Sequence, residues 1–238
     1  MQKKLLMLLT TMLSMASYAQ SNESAIVLEL FTSQGCSSCP PADQLLDKIK
    51  KQYQDQNVFV LSYHVDYWNR LGWKDPFSNE SYSDYQREYA EQFNSRSIYT
   101  PQLVVNGREH FTGSNRYKAE EALKKYAKSK SSNIIKVQGI QREEKAIEFN
   151  YSVEGDKFNT VTFAIVVSER VTNVSKGENR NRSLANTNIV ANRVTTKEAN
   201  GKIAISIPEW ITNEDQLSLI TYTQDVFLKT TGALQVKI

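Results

Sequence analysis

The sequence predicts an α/β domain over residues 20–130, with a helical insertion at about 65–98, followed by an all-β, sandwich-like domain over 131–238. Three observations predict it. A strand, two cysteines two residues apart, a proline-started helix and a second strand fill about forty residues from position 25. An aromatic-rich and acid-rich stretch then interrupts the pattern. After Lys130, about seven short runs of strand-forming residues alternate with turn-rich stretches, the spacing of a β-sandwich.

Residues 25–32, AIVLELFT, form a short apolar run that reads as a buried strand. Ser33-Gln34-Gly35 is a turn, followed by Cys36-Ser37-Ser38-Cys39. Pro40 and Pro41 suit the first turn of a helix, where an amide hydrogen has no internal partner. Ala42, Leu45, Leu46, Ile49 and Tyr53 then share one helical face. Residues 57–64, NVFVLSYH, read as a second strand, parallel to the first if the crossover is right-handed. Within the insertion, residues 78–93 predict a helix with Tyr82, Tyr85, Tyr89 and Phe93 on one side and Ser78, or alternatively Ser81, as N-cap. Residues 102–105 and 108–112 predict a hairpin around Asn106-Gly107. Residues 114–128 predict an amphipathic helix, and the polar run 128–133 marks the domain boundary.

The chain starts with a short charged segment, Lys3 and Lys4, then a mostly apolar run over 5–16 and small residues up to Ala19. This is the pattern of a cleaved secretory signal peptide over residues 1–19. The expected location is the periplasm or the extracellular space, with no stable membrane insertion after cleavage. Without the two leader lysines, the 29 basic and 26 acidic residues come close to balance. Nucleic-acid binding is not expected from such a charge. The 40% hydrophobic and 23% charged content excludes a disordered chain. Two cysteines are too few for a disulfide-dense scaffold or a four-cysteine zinc site.

The CxxC turn carries the chemistry. A cysteine at a helix N-terminus meets the positive end of the helix dipole and unsatisfied amides, which favour thiolate. Cys36 is the expected nucleophile toward a disulfide, and Cys39, one turn inside, the resolving thiol. A structural disulfide and a metal site are the rival readings. In thioredoxin-like folds a cis-proline loop faces the CxxC turn and offers its backbone to a bound peptide. Thr100-Pro101, just before a predicted strand, occupies that place in the chain.

The run from Glu29 to Asp43, ELFTSQGCSSCPPAD, resembles the signature of a bacterial secreted family called domain of unknown function 1223. The resemblance continues through His64-Val65-Asp66-Tyr67-Trp68, residues 72–78 (GWKDPFS) and Tyr99-Thr100-Pro101-Gln102. It resumes at Gly177-Glu178-Asn179 and Asn188-Ile189-Val190, and faintly at residues 230–233, covering nearly the whole mature chain. It departs at Asn69, where the pattern has an acid. The resemblance implies a thioredoxin-like fold, with Thr100 and Pro101 positioning substrate.

Glu29 interrupts an apolar strand seven residues before Cys36. A buried carboxyl there is a candidate proton relay to Cys39, although strand alternation also allows it to face away. His64, beside Asp66, could join Cys36 and Cys39 around zinc or copper, or simply be hydrogen-bonded at a strand end. His110 has no nearby partner in sequence. Tyr63, Tyr67, Trp68, Trp73 and Phe77 either wall a groove over the CxxC turn or pack the insertion onto the sheet. Residues 177–180 read as a polar turn. Pro40 after Cys39 excludes covalent c-type haem.

The expected function is thiol–disulfide exchange on extracytoplasmic protein or peptide thiols and disulfides. It needs no cofactor beyond the Cys36–Cys39 disulfide. The alternatives are a copper or zinc module built on Cys36, Cys39 and His64, and a non-catalytic binding protein with a structural disulfide.

Overall fold

The computed structural model describes residues 17–19, by backbone alone, and 24–238. The expected leader lies almost wholly outside these residues. Its last three residues, β1 (Ser17–Ala19), pair antiparallel with Lys136, Val137 and Gln138, so a cut after Ala19 would remove this strand.

The first half is built around β2 (Ile26–Thr32), every residue of which is buried. Helix α1 (Pro40–Gln52) returns the chain to β3 (Val58–His64), which pairs parallel with β2. The crossover covers one face of the sheet with Ala42, Leu45, Leu46 and Ile49, packed on Ile26, Leu28 and Leu30. A 3-10 turn (Asn69–Leu71) and α2 (Glu80–Gln92) follow. Tyr82, Tyr85 and Tyr89 of α2 pack in one cluster with Val27, Phe31, Leu61 and Tyr63, on the face opposite α1. Asn79 caps α2, its side chain accepting from the Ser81 amide at 2.9 Å. The expected caps Ser78 and Ser81 are therefore corrected: the asparagine between them has the extended backbone an N-cap needs.

Strand β4 (Gln102–Val105) lies antiparallel beside β2 and forms a hairpin with β5 (Glu109–Thr112). Asn106 and Gly107 both have positive φ, 51° and 60°, the twist a two-residue hairpin turn requires. Helix α3 (Arg116–Tyr126) then joins the α1 face through Ala119, Ala122 and Leu123.

All seven runs read as strands after residue 130 are strands. They are β6 (Asn133–Arg142), β7 (Ala146–Gly155), β8 (Thr160–Val174), β9 (Arg182–Thr196), β10 (Asn200–Ser206), β11 (Leu217–Gln224) and β12 (Thr230–Lys237). One sheet has the order β1-β6-β7-β10. Its inner face, including Ile135, Phe149 and Ile205, packs on Phe163, Ile165 and Leu219 of a second sheet in one apolar cluster. That second sheet does not end at the polar stretch 128–133. It runs β12-β11-β8-β9-β3-β2-β4-β5 and so joins both halves of the chain. The seam is the parallel pairing of β3 with β9 at Ser62 and Ile189. Side chains reinforce it: Ser62 Oγ donates to the Thr187 carbonyl at 2.9 Å, and Asn188 Nδ2 to the Val60 carbonyl at 2.9 Å.

Strands β8 and β9 run well past their apolar parts. Residues 170–174 pair with 182–186 as a two-stranded arm. Its alternate residues are exposed, Val171 by 63%, so hydrophobic pattern gives no sign of it. The turn of this arm reaches the CxxC loop.

Candidate functional site

The cysteines lie where β2 ends and α1 begins. Cys36 and Cys39 are joined by a disulfide, with Cα atoms 5.4 Å apart, and both are fully buried. Ser37, Ser38 and Pro41 beside them are exposed. A disulfide sulfur can only accept, so the Ser38 hydroxyl donates to Cys36 Sγ at 3.3 Å. The Thr100-Pro101 peptide is cis, and the Thr100 carbonyl oxygen lies 3.9 Å from Cys36 Sγ. The expected meeting of Cys36, Thr100 and Pro101 at one place is thus present in the geometry.

The expected free amides at the helix start need correction. Pro40 and Pro41, the first helical residues, carry no N–H. The Cys39 amide donates to the Cys36 carbonyl at 3.3 Å, and the Ala42 and Asp43 amides to the Cys39 carbonyl. Helix α1 therefore offers Cys36 its dipole rather than these donors.

The aromatic set divides. Tyr63 is core, its hydroxyl bonded to that of Tyr222 at 2.8 Å, and Phe77 packs on His64 and Trp210. Tyr67 is half-buried and donates to Gln86. Trp68 and Trp73 flank the CxxC loop: Trp68 Nε1 donates to Thr100 Oγ1 at 2.8 Å, and Trp73 Nε1 to Gln34 Oε1 at 3.2 Å.

Glu29 is not brought to the cysteines. Pleat alternation turns it away from Leu28 and Leu30, which face α1, and toward α2. There it is fully buried and accepts from Tyr85, Tyr89 and Tyr222. Burial raises its carboxyl above the usual range, against the pull of those hydroxyls and of Arg193. The Arg193 guanidinium lies 3.9 Å from the Tyr85 ring centroid. Glu29 thus anchors α2 to the sheet.

His64 is buried at the end of β3, but its partner is Asp75 and not Asp66. Nδ1 lies 2.7 Å from Asp75 Oδ2, while Asp66 accepts from Ser83. Asp75 also accepts from the Gln34 and Phe77 amides. Asn69 holds this loop by accepting from the Asp75 amide and donating to Ser78. Burial works against charge on both partners. Their mutual attraction prevails, so His64 is raised and Asp75 lowered. Among the described residues no three His, Cys, Asp or Glu side chains are placed to hold a metal. The suggested set of Cys36, Cys39 and His64 is not among such groups: the two sulfurs are bonded to each other, and His64 turns Nδ1 to Asp75 while Nε2 has no hydrogen-bond partner. His110 lies elsewhere, bonded to Tyr99 and packed on Phe93.

Four residues at the site carry no role in the sequence reading. Asn179, fully buried in the β8–β9 turn, donates from Nδ2 to the Gln34 and Cys36 carbonyls at 2.9 and 2.8 Å. Glu178 accepts from the Ser37 amide at 3.0 Å. Gly177 has φ +73°, and an added Cβ would stand 3.3 Å from that of Trp73, so the turn needs glycine there. The fourth is Asp43, four residues after Cys39. It is buried, and Oδ2 accepts from Thr32 Oγ1 at 3.2 Å. A sequence signal existed here, since Asp43 is an acid on the buried side of an amphipathic helix.

The family model "Protein of unknown function (DUF1223)" matches residues 27–224. Among solved structures, the chain is similar to a structural-genomics crystal structure of an Agrobacterium tumefaciens protein. The two are 25% identical with a TM-score of 0.63, over 91% of this chain and 96% of the other. No curated protein matches the chain.

Proposed function

Because the chain belongs to the DUF1223 family of proteins of unknown function, we propose from its own site that it carries out thiol–disulfide exchange on extracytoplasmic protein or peptide substrates. The observation that carries this reading is the Thr100 carbonyl, 3.9 Å from Cys36 Sγ. It offers backbone recognition next to the sulfur to be attacked. The strand order β3-β2-β4-β5, with β2 and β3 parallel and the other pairs antiparallel, supports a thioredoxin-like reading of the first half. Cys36 is the nucleophile and Cys39 the resolving thiol. Thr100 and Pro101 position the substrate backbone, and Trp68 and Trp73 edge its groove. The Glu178 contact to Ser37 is the exposed part of the closure over the buried disulfide. Its opening gives a substrate sulfur access to Cys36. The leader pattern supports an extracytoplasmic location, where disulfides persist.

Burial of both cysteines favours a second reading, in which the disulfide is a structural staple. Exchange with glutathione disulfide, read by intact mass, separates the two. With exchange chemistry, reduced Cys39→Ser protein gains a glutathione adduct on Cys36, whereas Cys36→Ser protein reacts far more slowly at Cys39. A staple predicts no such preference.

A further inference from the structure

Two side-chain atoms beneath the CxxC turn have no hydrogen-bond partner: Asp43 Oδ1 and His64 Nε2, both buried. A buried polar atom left unsatisfied is destabilising, so structure alone is a poor reason to keep an acid here. Their placement offers a better one. Thr32 and His64 are register partners on β2 and β3, and Thr32 meets the Asp43 carboxyl. The Asp43 amide donates to the Cys39 carbonyl at 3.1 Å, and Cys39 itself has helical backbone angles. Residues four apart on a helix share a face, with Cβ atoms about 5–6 Å apart. Helical side chains also lean toward the N-terminus, which brings the Asp43 carboxyl toward Cys39. Behind it, Asp75 orients His64 through Nδ1 at 2.7 Å.

We propose that Asp43 is the proton store for Cys39, with His64 and Asp75 as positioning residues. The proposal rests on the exchange reading above. When the protein acts as oxidant, a substrate thiolate attacks Cys36 Sγ and the Cys36–Cys39 bond breaks. Its electron pair leaves on Cys39 Sγ, which takes the Asp43 proton. A second substrate thiolate attacks the substrate sulfur of the mixed disulfide and expels Cys36 as thiolate. The substrate loses two electrons in forming its disulfide, and the protein gains them. In the opposite direction the Asp43 carboxylate takes the Cys39 proton, and the resulting thiolate attacks Cys36 Sγ in the mixed disulfide, breaking its bond to the substrate sulfur, which leaves as thiolate with the electron pair. Burial raises the Asp43 carboxyl to about 7, against the pull of His64 and Thr32, so both forms are populated near neutrality. The titratable groups around it are His64 from β3 and Asp75 from the insertion. Strands β2 and β9 contribute the neutral Thr32 and Asn186.

The test uses reduced Cys36→Ser protein, in which Cys39 is the remaining thiol, titrated by the ultraviolet absorbance of its thiolate. Adding Asp43→Asn removes a nearby like charge. The Cys39 midpoint then falls by about one pH unit, roughly tenfold more thiolate at a given pH. An unchanged midpoint in a folded variant overturns the proposal. A second measurement needs no variant. In wild-type protein with carboxyl-labelled aspartate, the resonance titrating near neutrality changes midpoint between the oxidised and reduced forms. Equal midpoints overturn the proposal as well. Both readouts are independent of exchange with a substrate. A disulfide too stable for exchange defeats the functional reading and this inference with it, whereas absent coupling defeats this inference and leaves the exchange reading standing.

Discussion

Asn179 Nδ2 donates to the Cys36 carbonyl across 143 residues of sequence, at 2.8 Å and in a fully buried setting. The second half of the chain therefore forms a wall of the CxxC turn. Asn179→Ala leaves the Gln34 carbonyl without its side-chain donor, while the Cys36 carbonyl keeps the Cys39 amide at 3.3 Å. Each unsatisfied buried group costs about 1–3 kcal/mol. Urea unfolding should show a lower midpoint with unchanged slope.

Glu178→Ala should behave differently. Its contact to Ser37 is exposed, so stability should stay within about 0.5 kcal/mol of wild type. Reduction of the disulfide by dithiothreitol should nevertheless be faster, because the closure over Cys36 is weakened. Unchanged reduction kinetics would remove Glu178 from the gate.

His64→Ala leaves Asp75 buried without its cation. Breaking a buried pair costs about 3–5 kcal/mol. Adding Asp75→Asn should recover part of that loss, which a double-mutant cycle reads directly. Equal and additive losses would mean that the two side chains are not coupled.

Stability should fall as pH rises from mildly acidic to alkaline. The Asp43 carboxyl binds its proton more tightly folded, at about 7, than its ordinary 3.8. Between those values the folded state holds more protons than the unfolded one, so stability decreases with pH. His64 is raised too. Its contribution is complete below its ordinary 6.5 and is lost as pH passes its folded value. Asp75 is lowered and acts oppositely: its contribution is present above 3.8 and is lost in acid, as pH falls through its folded value. Asp43→Asn should flatten the decline between about pH 4 and pH 7 by a few kcal/mol, since a tenfold change in proton affinity is about 1.36 kcal/mol. Urea melts across that range, with and without the substitution, check the slope.

Much of this was legible in the sequence. The CxxC turn, the prolines after it, the apolar stripe of α1 and the Asn106-Gly107 hairpin are local signals, and so are the seven later strands. What stayed hidden is nonlocal or polar. Ser62, Thr187 and Asn188 stitch β3 to β9, and nothing in their spacing announces a shared sheet. Glu178 and Asn179 sit in a turn whose strands expose alternate residues. Glu29 stands out as an acid in an apolar strand, but one residue of register decides its face. It serves the tyrosines of α2, while the buried acid one helical turn after Cys39 is Asp43.

The most direct test of thiol–disulfide exchange is a redox titration of the full chain in graded thiol–disulfide buffers, with free thiols alkylated and counted by mass. Exchange predicts a Cys36–Cys39 midpoint between about −120 and −270 mV, the range of working exchange proteins. A midpoint below about −300 mV is that of a structural bridge, and it would contradict the proposed function.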